Sequence, residues 1–215
     1  MNKYDEILRL FGVGKPLGYS VEEVEKAKTE VGGLPLELEN FYLYCGKSPE
    51  LHYLQDELVL PNRYPSFLGL DHIVFFNENQ GVCKAAVKKS DISLPDPPVY
   101  TNDGDGNWAL SSPHVSEFLC AMFDYQASIC LEFNPEEFYF ITPGEKAKIE
   151  QMFPKLGSFD NWLYDWNITV YGENGGRIAL MEPPGEDDIQ MNIAANNKEE
   201  FERMIKLLDG IGEPI

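Results

Sequence analysis

The residues that most resemble a ligand-binding site lie in the segment from Asp103 to Asn107. Asp103, Asp105 and Asn107 alternate with glycines, and an EF-hand calcium loop needs such oxygen ligands at positions 1, 3 and 5. That loop also needs Gly at position 6 and Glu at position 12, where this sequence has Trp108 and His114. We therefore predict a tight turn whose glycines adopt positive φ and whose carboxylates are available to a cationic partner.

Catalytic chemistry has a weaker basis in the sequence. Adjacent carboxylates at Asp56-Glu57 and at Glu136-Glu137 are of the type that hydrolases use as acid and base. Acidic pairs are also common on solvated surfaces. The chain has no G-x-S-x-G motif, and none of its histidines has a Cys or acidic partner at a diagnostic spacing. We therefore expect a protein that is not an enzyme and keep an uncharacterised hydrolase as a third function class.

The four cysteines, Cys45, Cys83, Cys120 and Cys130, are well separated and form no C-x-x-C pair. In a reducing compartment they are expected to be buried apolar thiols. We therefore predict no metal site and no cofactor.

The charge of the chain is strongly negative and unevenly distributed. There are 36 acidic and 17 basic residues, which gives a net charge of −19. From Ser90 to Glu145 there is no Lys or Arg, while ten residues in that stretch are acidic. Such a surface repels nucleic acid and anionic membranes and attracts basic partners. The alternative is that the acidity only keeps the protein soluble.

Length and composition favour a globular protein. The 215 residues are 43% hydrophobic, and the mean hydropathy is −0.31. The chain has no apolar run near the ~20 residues that a membrane helix needs. The first residues lack the apolar core of a secretory signal, so we expect a cytoplasmic protein. One domain over residues 1–215 is expected, because no linker or repeat divides the chain.

Helical and strand signals are mixed along the chain. Capping boxes at Ser20/Glu23 and Thr142/Glu145 and a cap at Asn197 predict helix starts. Apolar runs around Gly-containing turns predict two β-hairpins, Ile73–Phe76 with Val82–Val87 and Trp166–Tyr171 with Arg177–Met181. Short hairpin turns favour antiparallel pairing, and the pattern as a whole predicts an α+β fold.

Three pieces of the chain, between residue 34 and about residue 125, occur in the order typical of a known superfamily. They are Leu34-Pro35 with Glu37, Leu38, Phe41, Tyr42 and Gly46; the turn Asn79-Gln80-Gly81; and Pro97-Pro98-Val99-Tyr100 with Trp108 and Ser116-Glu117-Phe118-Leu119. In these pieces the chain resembles the SUKH superfamily, in its SMI/KNR-type branch. Residues 131–215 contribute no motif to the resemblance.

The resemblance implies a domain in which helices pack on a mainly antiparallel, multi-stranded sheet. It also implies a binding protein without enzyme activity. Members of the superfamily are mostly bacterial immunity proteins that neutralise toxins, often nucleases, and fungal relatives regulate cell-wall synthesis. The family motif does not fix the residues that contact the toxin, so it assigns no such residue here.

We therefore predict a bacterial immunity protein that binds a basic toxin domain, for example a nuclease, through an acidic surface. It is expected to bind neither nucleic acid nor membrane directly. The alternative is a non-enzymatic regulatory or scaffold module. The candidate contact residues, all taken from the stretch without Lys or Arg, are Asp103, Asp105, Asp124, Glu132, Glu136 and Glu137.

Overall fold

The computed structural model of the chain describes residues 2–52, 54–67, 71–104, 106–135 and 137–214. Within these residues, no helix has the length and apolar character needed to cross a bilayer. The α-helices are α1 (Asp5–Leu10), α2 (Val21–Val31), α3 (Leu36–Tyr44), α4 (Val115–Cys130), α5 (Pro143–Met152) and α6 (Lys198–Leu207).

The strands form two antiparallel sheets, which confirms the predicted α+β class. The first sheet has the order β1-β2-β3-β4-β5, and the second has the order β11-β6-β10-β9-β8-β7. The strands are β1 (Glu57–Leu58), β2 (His72–Asn77), β3 (Lys84–Lys88), β4 (Val99–Asn102), β5 (Ala109–Ser112), β6 (Tyr139–Ile141), β7 (Lys155–Trp162), β8 (Trp166–Tyr171), β9 (Gly176–Glu182), β10 (Ile189–Ala195) and β11 (Glu213–Pro214).

Local capping chemistry sets the starts of three helices as the sequence predicts. Both capping boxes are complete: the side chains of Ser20 and Thr142 each accept from the backbone N–H three residues on, at Glu23 and Glu145. Asn197 Oδ1 accepts from the Glu200 N–H at 2.9 Å and caps α6. Caps of this kind stabilise a helix by about 1 kcal/mol, because they satisfy N–H groups that lack a partner within the helix.

Some predicted boundaries are wrong. The sequence Glu57–Pro61 indicates a possible strand, but β1 ends at Leu58 and a 3₁₀ turn begins at Pro61, whose nitrogen cannot donate to a strand. Ser112-Pro113 before an apolar stripe predicts a helix start, but α4 begins at Val115. We did not predict β7, because glycine and polar residues weaken its strand signal.

Helix α4 lies between the two sheets and joins their cores. The Phe118 ring contacts Phe75 of β2 at a centroid distance of 5.6 Å and Phe159 of β7 at 5.3 Å. Ala121 packs directly over Gly157 of β7, where a Cβ would lie 2.9 Å from the Ala121 Cβ. Glycine at this position therefore lets the helix approach the strand closely. The largest apolar cluster accordingly contains residues from both sheets.

Replacing Phe118 with Ala is expected to destabilise the protein by about 3–5 kcal/mol, because the cavity would lie between the two sheets. Urea unfolding followed by tryptophan fluorescence and by circular dichroism measures the change. Leu207→Ala is the control, since that side chain is 42% exposed. Two separate transitions, of which Phe118→Ala shifts only one, would contradict a shared core.

Candidate partner-binding surface

Asp103 lies on the loop between β4 and β5, and its carboxylate joins that loop to a second hairpin. Gly104 and Gly106 have φ values of +87° and +88°, which confirms the predicted glycine turn. Asn102 Oδ1 accepts from the Gly104 N–H at 2.7 Å and tightens the turn. Asp103 Oδ2 accepts from the Asp165 N–H at 3.3 Å, so the β4–β5 loop lies against the β7–β8 loop.

The β7–β8 loop is strained. Leu163, Tyr164 and Asp165 have φ values of 45°, 56° and 63°. Asp tolerates this region, whereas Leu and Tyr each lose roughly 1–2 kcal/mol there. Trp162 and Trp166 pair across the base of the loop, and the buried Trp162 packs into the core. Tertiary packing therefore holds a conformation that the local sequence disfavours, as often occurs at binding sites.

An exposed aromatic side chain and an exposed leucine stand beside these carboxylates. Tyr164 is 66% exposed and Leu110 is 55% exposed. The Asn161 side-chain amide donates to the Leu110 carbonyl oxygen at 2.8 Å, which attaches β5 to the end of β7. We call Asp103, Leu110, Asp160, Tyr164 and Asp165 together the hairpin surface.

The two segments that form the hairpin surface contain no Lys or Arg. The sequence has none between Lys89 and Lys146, and none between Lys155 and Arg177. Asp160 and Asp165 are exposed, and Asp103 is half-buried. The arrangement combines negative charge with an exposed ring, which suits a cationic and partly apolar protein surface.

A buried polar network lies beneath the hairpins. Asp56 is almost fully buried; its backbone N–H donates to Gln126 Oε1 at 2.9 Å, and its Oδ2 accepts from Gln126 Nε2 at 2.8 Å. Its Oδ1 accepts from the Asn79 N–H at 3.4 Å. Burial raises the pKa of Asp56 to about 6, although the hydrogen bond from Gln126 opposes the rise. The network therefore connects the chain before β1 to α4 and to the β2–β3 turn.

Glu78 stabilises the β2–β3 turn, and the buried Cys83 lies next to that turn. Glu78 Oε2 accepts from the Gln80 and Val82 N–H groups at 2.9 and 3.1 Å. Cys83 is buried, and burial together with the neighbouring Asp103 carboxylate raises the pKa of its thiol. Cys83 is therefore a protonated structural thiol beneath the hairpin surface.

The predicted contact residues do not lie together on one surface of the structure. Glu132 and Glu137 are exposed in the segment after α4, which leads into β6. Asp103 lies beside β7, which is at the opposite edge of the second sheet from β6 and β11. Asp105 and Glu136 lie outside the described residues.

Asp124 is not on the surface. It is buried in α4, and its Oδ1 accepts from Arg177 Nε at 2.5 Å. The Arg177 side chain is only 1% exposed and also donates to Glu6 at 3.1 Å. Burial raises the pKa of Asp124, and the Arg177 guanidinium opposes that rise. Asp124 therefore has a structural partner, and we leave it out of the binding surface.

Of the two adjacent carboxylate pairs that suggested a hydrolase, the described pair Asp56-Glu57 does not face one common site. Asp56 is buried against Gln126, whereas Glu57 is partly exposed and pairs with Arg63. Among the described residues, no group of three or more His, Cys, Asp and Glu side chains is arranged to hold a metal ion.

The sequence reasoning missed Tyr164, Asp165, Asp160 and Leu110. A signal was present: the turn between Trp162 and Trp166 contains Leu and Tyr, where turn chemistry favours Gly or Asn. Their proximity to Asp103 depends on contacts between residues about sixty positions apart, which a local pattern cannot show. Comparisons with protein-family models, with curated proteins and with solved structures found no match to this chain.

Asp56 is expected to make stability depend on pH. Its folded pKa of about 6 lies above the ordinary Asp value of about 3.9, so its stabilising contribution is complete below about pH 4. That contribution is lost as the pH rises through 6, and the shift corresponds to about 3 kcal/mol. The free energy of unfolding of the parent relative to Asp56→Asn should therefore fall by that amount between pH 4 and pH 7.5.

Urea denaturation at a series of pH values measures this difference. Asp209→Asn, at an exposed position, controls for the loss of one negative charge. A difference between the parent and Asp56→Asn that stays constant over the whole range would show that the Asp56 pKa is not raised.

Proposed function

We propose that this chain is an immunity protein of the bacterial type, which binds a basic toxin domain at the hairpin surface and blocks it. The single observation that carries the proposal is the combination at that surface. Carboxylates on segments without Lys or Arg occur together with an exposed Tyr164 on a strained turn, to which Asp103 is hydrogen-bonded. The resemblance to the SUKH superfamily supports the same function.

Electrostatic attraction would make association fast and would favour basic partners. A nuclease must present Lys and Arg to hold phosphate, so an inhibitor with carboxylates can compete for the same cationic groove. The net charge of −19 would steer such a partner towards the chain, and steering raises association rates by ~10–1000-fold. The same charge disfavours binding to nucleic acid. A steered association becomes slower as the salt concentration rises.

Apolar contacts would slow dissociation. Exposed tyrosines in a rigid setting are typical hot spots of protein interfaces, because they bury a large area and lose little side-chain entropy. Tyr164 sits on a turn fixed by Trp162, Trp166 and the Asp103 carboxylate. The exposed Leu110, whose carbonyl oxygen accepts from Asn161, would extend the apolar centre of the interface.

Co-expression with the protein encoded immediately upstream of this gene tests the function directly. The expected result is that the upstream protein is toxic and that this chain suppresses its toxicity and copurifies with it. A non-toxic upstream product that binds the chain would instead indicate the regulatory or scaffold role. Turnover of a small substrate by the pure chain, abolished by one side-chain change, would overturn both.

The carboxylates of the hairpin surface are expected to control association. A triple variant that neutralises two of these carboxylates and reverses the charge of the third should associate about tenfold more slowly and with a weaker salt dependence, because steering is lost. Surface plasmon resonance against the immobilised upstream protein measures both. The variant combines Asp103→Asn, Asp160→Lys and Asp165→Asn, and Asn at position 165 tolerates the positive φ.

A matched control makes the same change in net charge at an exposed loop elsewhere. It combines Glu186→Lys, Asp187→Asn and Asp188→Asn, all at exposed positions. If both variants slow association equally, net charge acts without a defined site, and the hairpin surface is the wrong location.

Tyr164→Asn is expected to separate binding from stability. Asn adopts positive φ more readily than Tyr, so the free energy of unfolding should stay the same or increase. Loss of the aromatic anchor should accelerate dissociation from the upstream protein by about 30-fold, which corresponds to ~2 kcal/mol. Dissociation rates from surface plasmon resonance and urea denaturation measure the two effects. Unchanged dissociation would show that Tyr164 does not contact the partner.

A further inference from the structure

A second exposed aromatic surface lies near the other edge of the second sheet. Phe138 is 52% exposed and Phe140 is 42% exposed. Phe140 lies in β6 and Phe138 immediately precedes that strand, and exposure alternates along the segment, with Tyr139 partly buried and Ile141 in the core. Two neighbouring exposed phenylalanines form an apolar patch rather than the scattered single residues that are normal on a surface.

A cleft of about 170 Å³ adjoins this patch, between the end of α4 and β10. Phe138 and Glu137 form one side, and Ser128 and Ile129 of α4 form another. Asn192 of β10 also lines the cleft and is only 5% exposed. Its Nδ2 donates to the Met181 thioether at 3.5 Å. The cleft therefore combines an apolar wall with the polar Asn192 side chain.

The negative charge around the patch favours a cationic occupant. Glu137 is exposed and lines the cleft, and Glu213 of β11 lies opposite Phe140 in the strand register. A second copy of the chain would bring another net charge of −19 to this acidic rim. Anionic membranes are repelled for the same reason. A cationic protein segment has the complementary charge.

The occupant would bind through side chains rather than as an added strand. The outer strand at this edge, β11, has two residues, and one of them is Pro214. Proline has no N–H and blocks pairing at a sheet edge. The apolar patch and the cleft therefore remain as the means of recognition.

We propose that Phe138, Phe140 and the adjoining cleft bind a protein segment in which apolar side chains alternate with Lys or Arg. An apolar side chain of that segment enters the cleft beside Phe138. The cations of the segment face Glu137 and Glu213. This surface lies at the opposite edge of the second sheet from the hairpin surface, and the inference does not depend on the immunity function.

A short synthetic peptide of alternating Lys and Leu serves as the probe, and calorimetry measures its binding to the full chain. Phe138→Ser combined with Phe140→Ser should weaken binding about tenfold or more, because the apolar contact is lost. The control variant combines Ile205→Ser with Leu207→Ser, two side chains of α6 with 36% and 42% exposure. It should bind the peptide as the parent does.

Two control peptides separate charge from apolar contact. A Lys/Ser peptide should bind more weakly than the Lys/Leu peptide, and its binding should not weaken further in the Phe138/Phe140 variant. A Glu/Leu peptide should not bind.

Equal binding of the Lys/Leu peptide to the parent and to the Phe138/Phe140 variant would overturn the proposal. So would a concentration-dependent dimer, seen by analytical ultracentrifugation, that the same variant abolishes, because a second copy would then be the occupant.

Discussion

The burial of α4 between two antiparallel sheets is the constraint on which the rest of the structure depends. Its apolar side chains contact both sheets, and Phe118 touches β2 and β7 at once. A helix in this position needs small residues where a strand must come close, and Ala121 over Gly157 meets that need. Because both sheets pack on one helix, the loops of the first sheet come to lie against the loops of the second.

Two polar side chains of α4 fix its position more specifically than apolar packing alone. Asp124 pairs with the buried Arg177 of β9, and that guanidinium also holds Glu6 of α1. Gln126 pairs with Asp56 ahead of β1. Groups of this kind are costly to leave unpaired in the interior, so alternative placements of α4 are disfavoured. The same contacts explain why Asp124, although part of the acidic stretch, cannot serve as a surface charge.

The two proposed surfaces both combine acidic residues with exposed aromatic side chains, but different structural observations support them. At the hairpin surface, Asp103 is hydrogen-bonded to the turn that carries the exposed Tyr164, and packing holds the backbone of that turn under strain. At the β6 edge, the exposed Phe138 and Phe140 lie next to a cleft that Phe138 and Asn192 line. Both have acidic neighbours, as expected for a chain with a net charge of −19. Acidity alone would only repel other anions, and the exposed aromatic side chains are what would make binding specific.

The sequence by itself determined the α+β class, the two capping boxes, the β2–β3 and β8–β9 hairpins and the glycine turn at Asp103. Each of these depends on contacts within a few residues or on the periodicity of apolar side chains. Tertiary structure alone decided that β7 is a strand, that Asp124 is buried, and that Asp103 and Tyr164 share a surface while Glu132 and Glu137 lie elsewhere. These outcomes depend on which distant segments pack together, and the free energy of that packing comes from shape and burial that no local pattern contains.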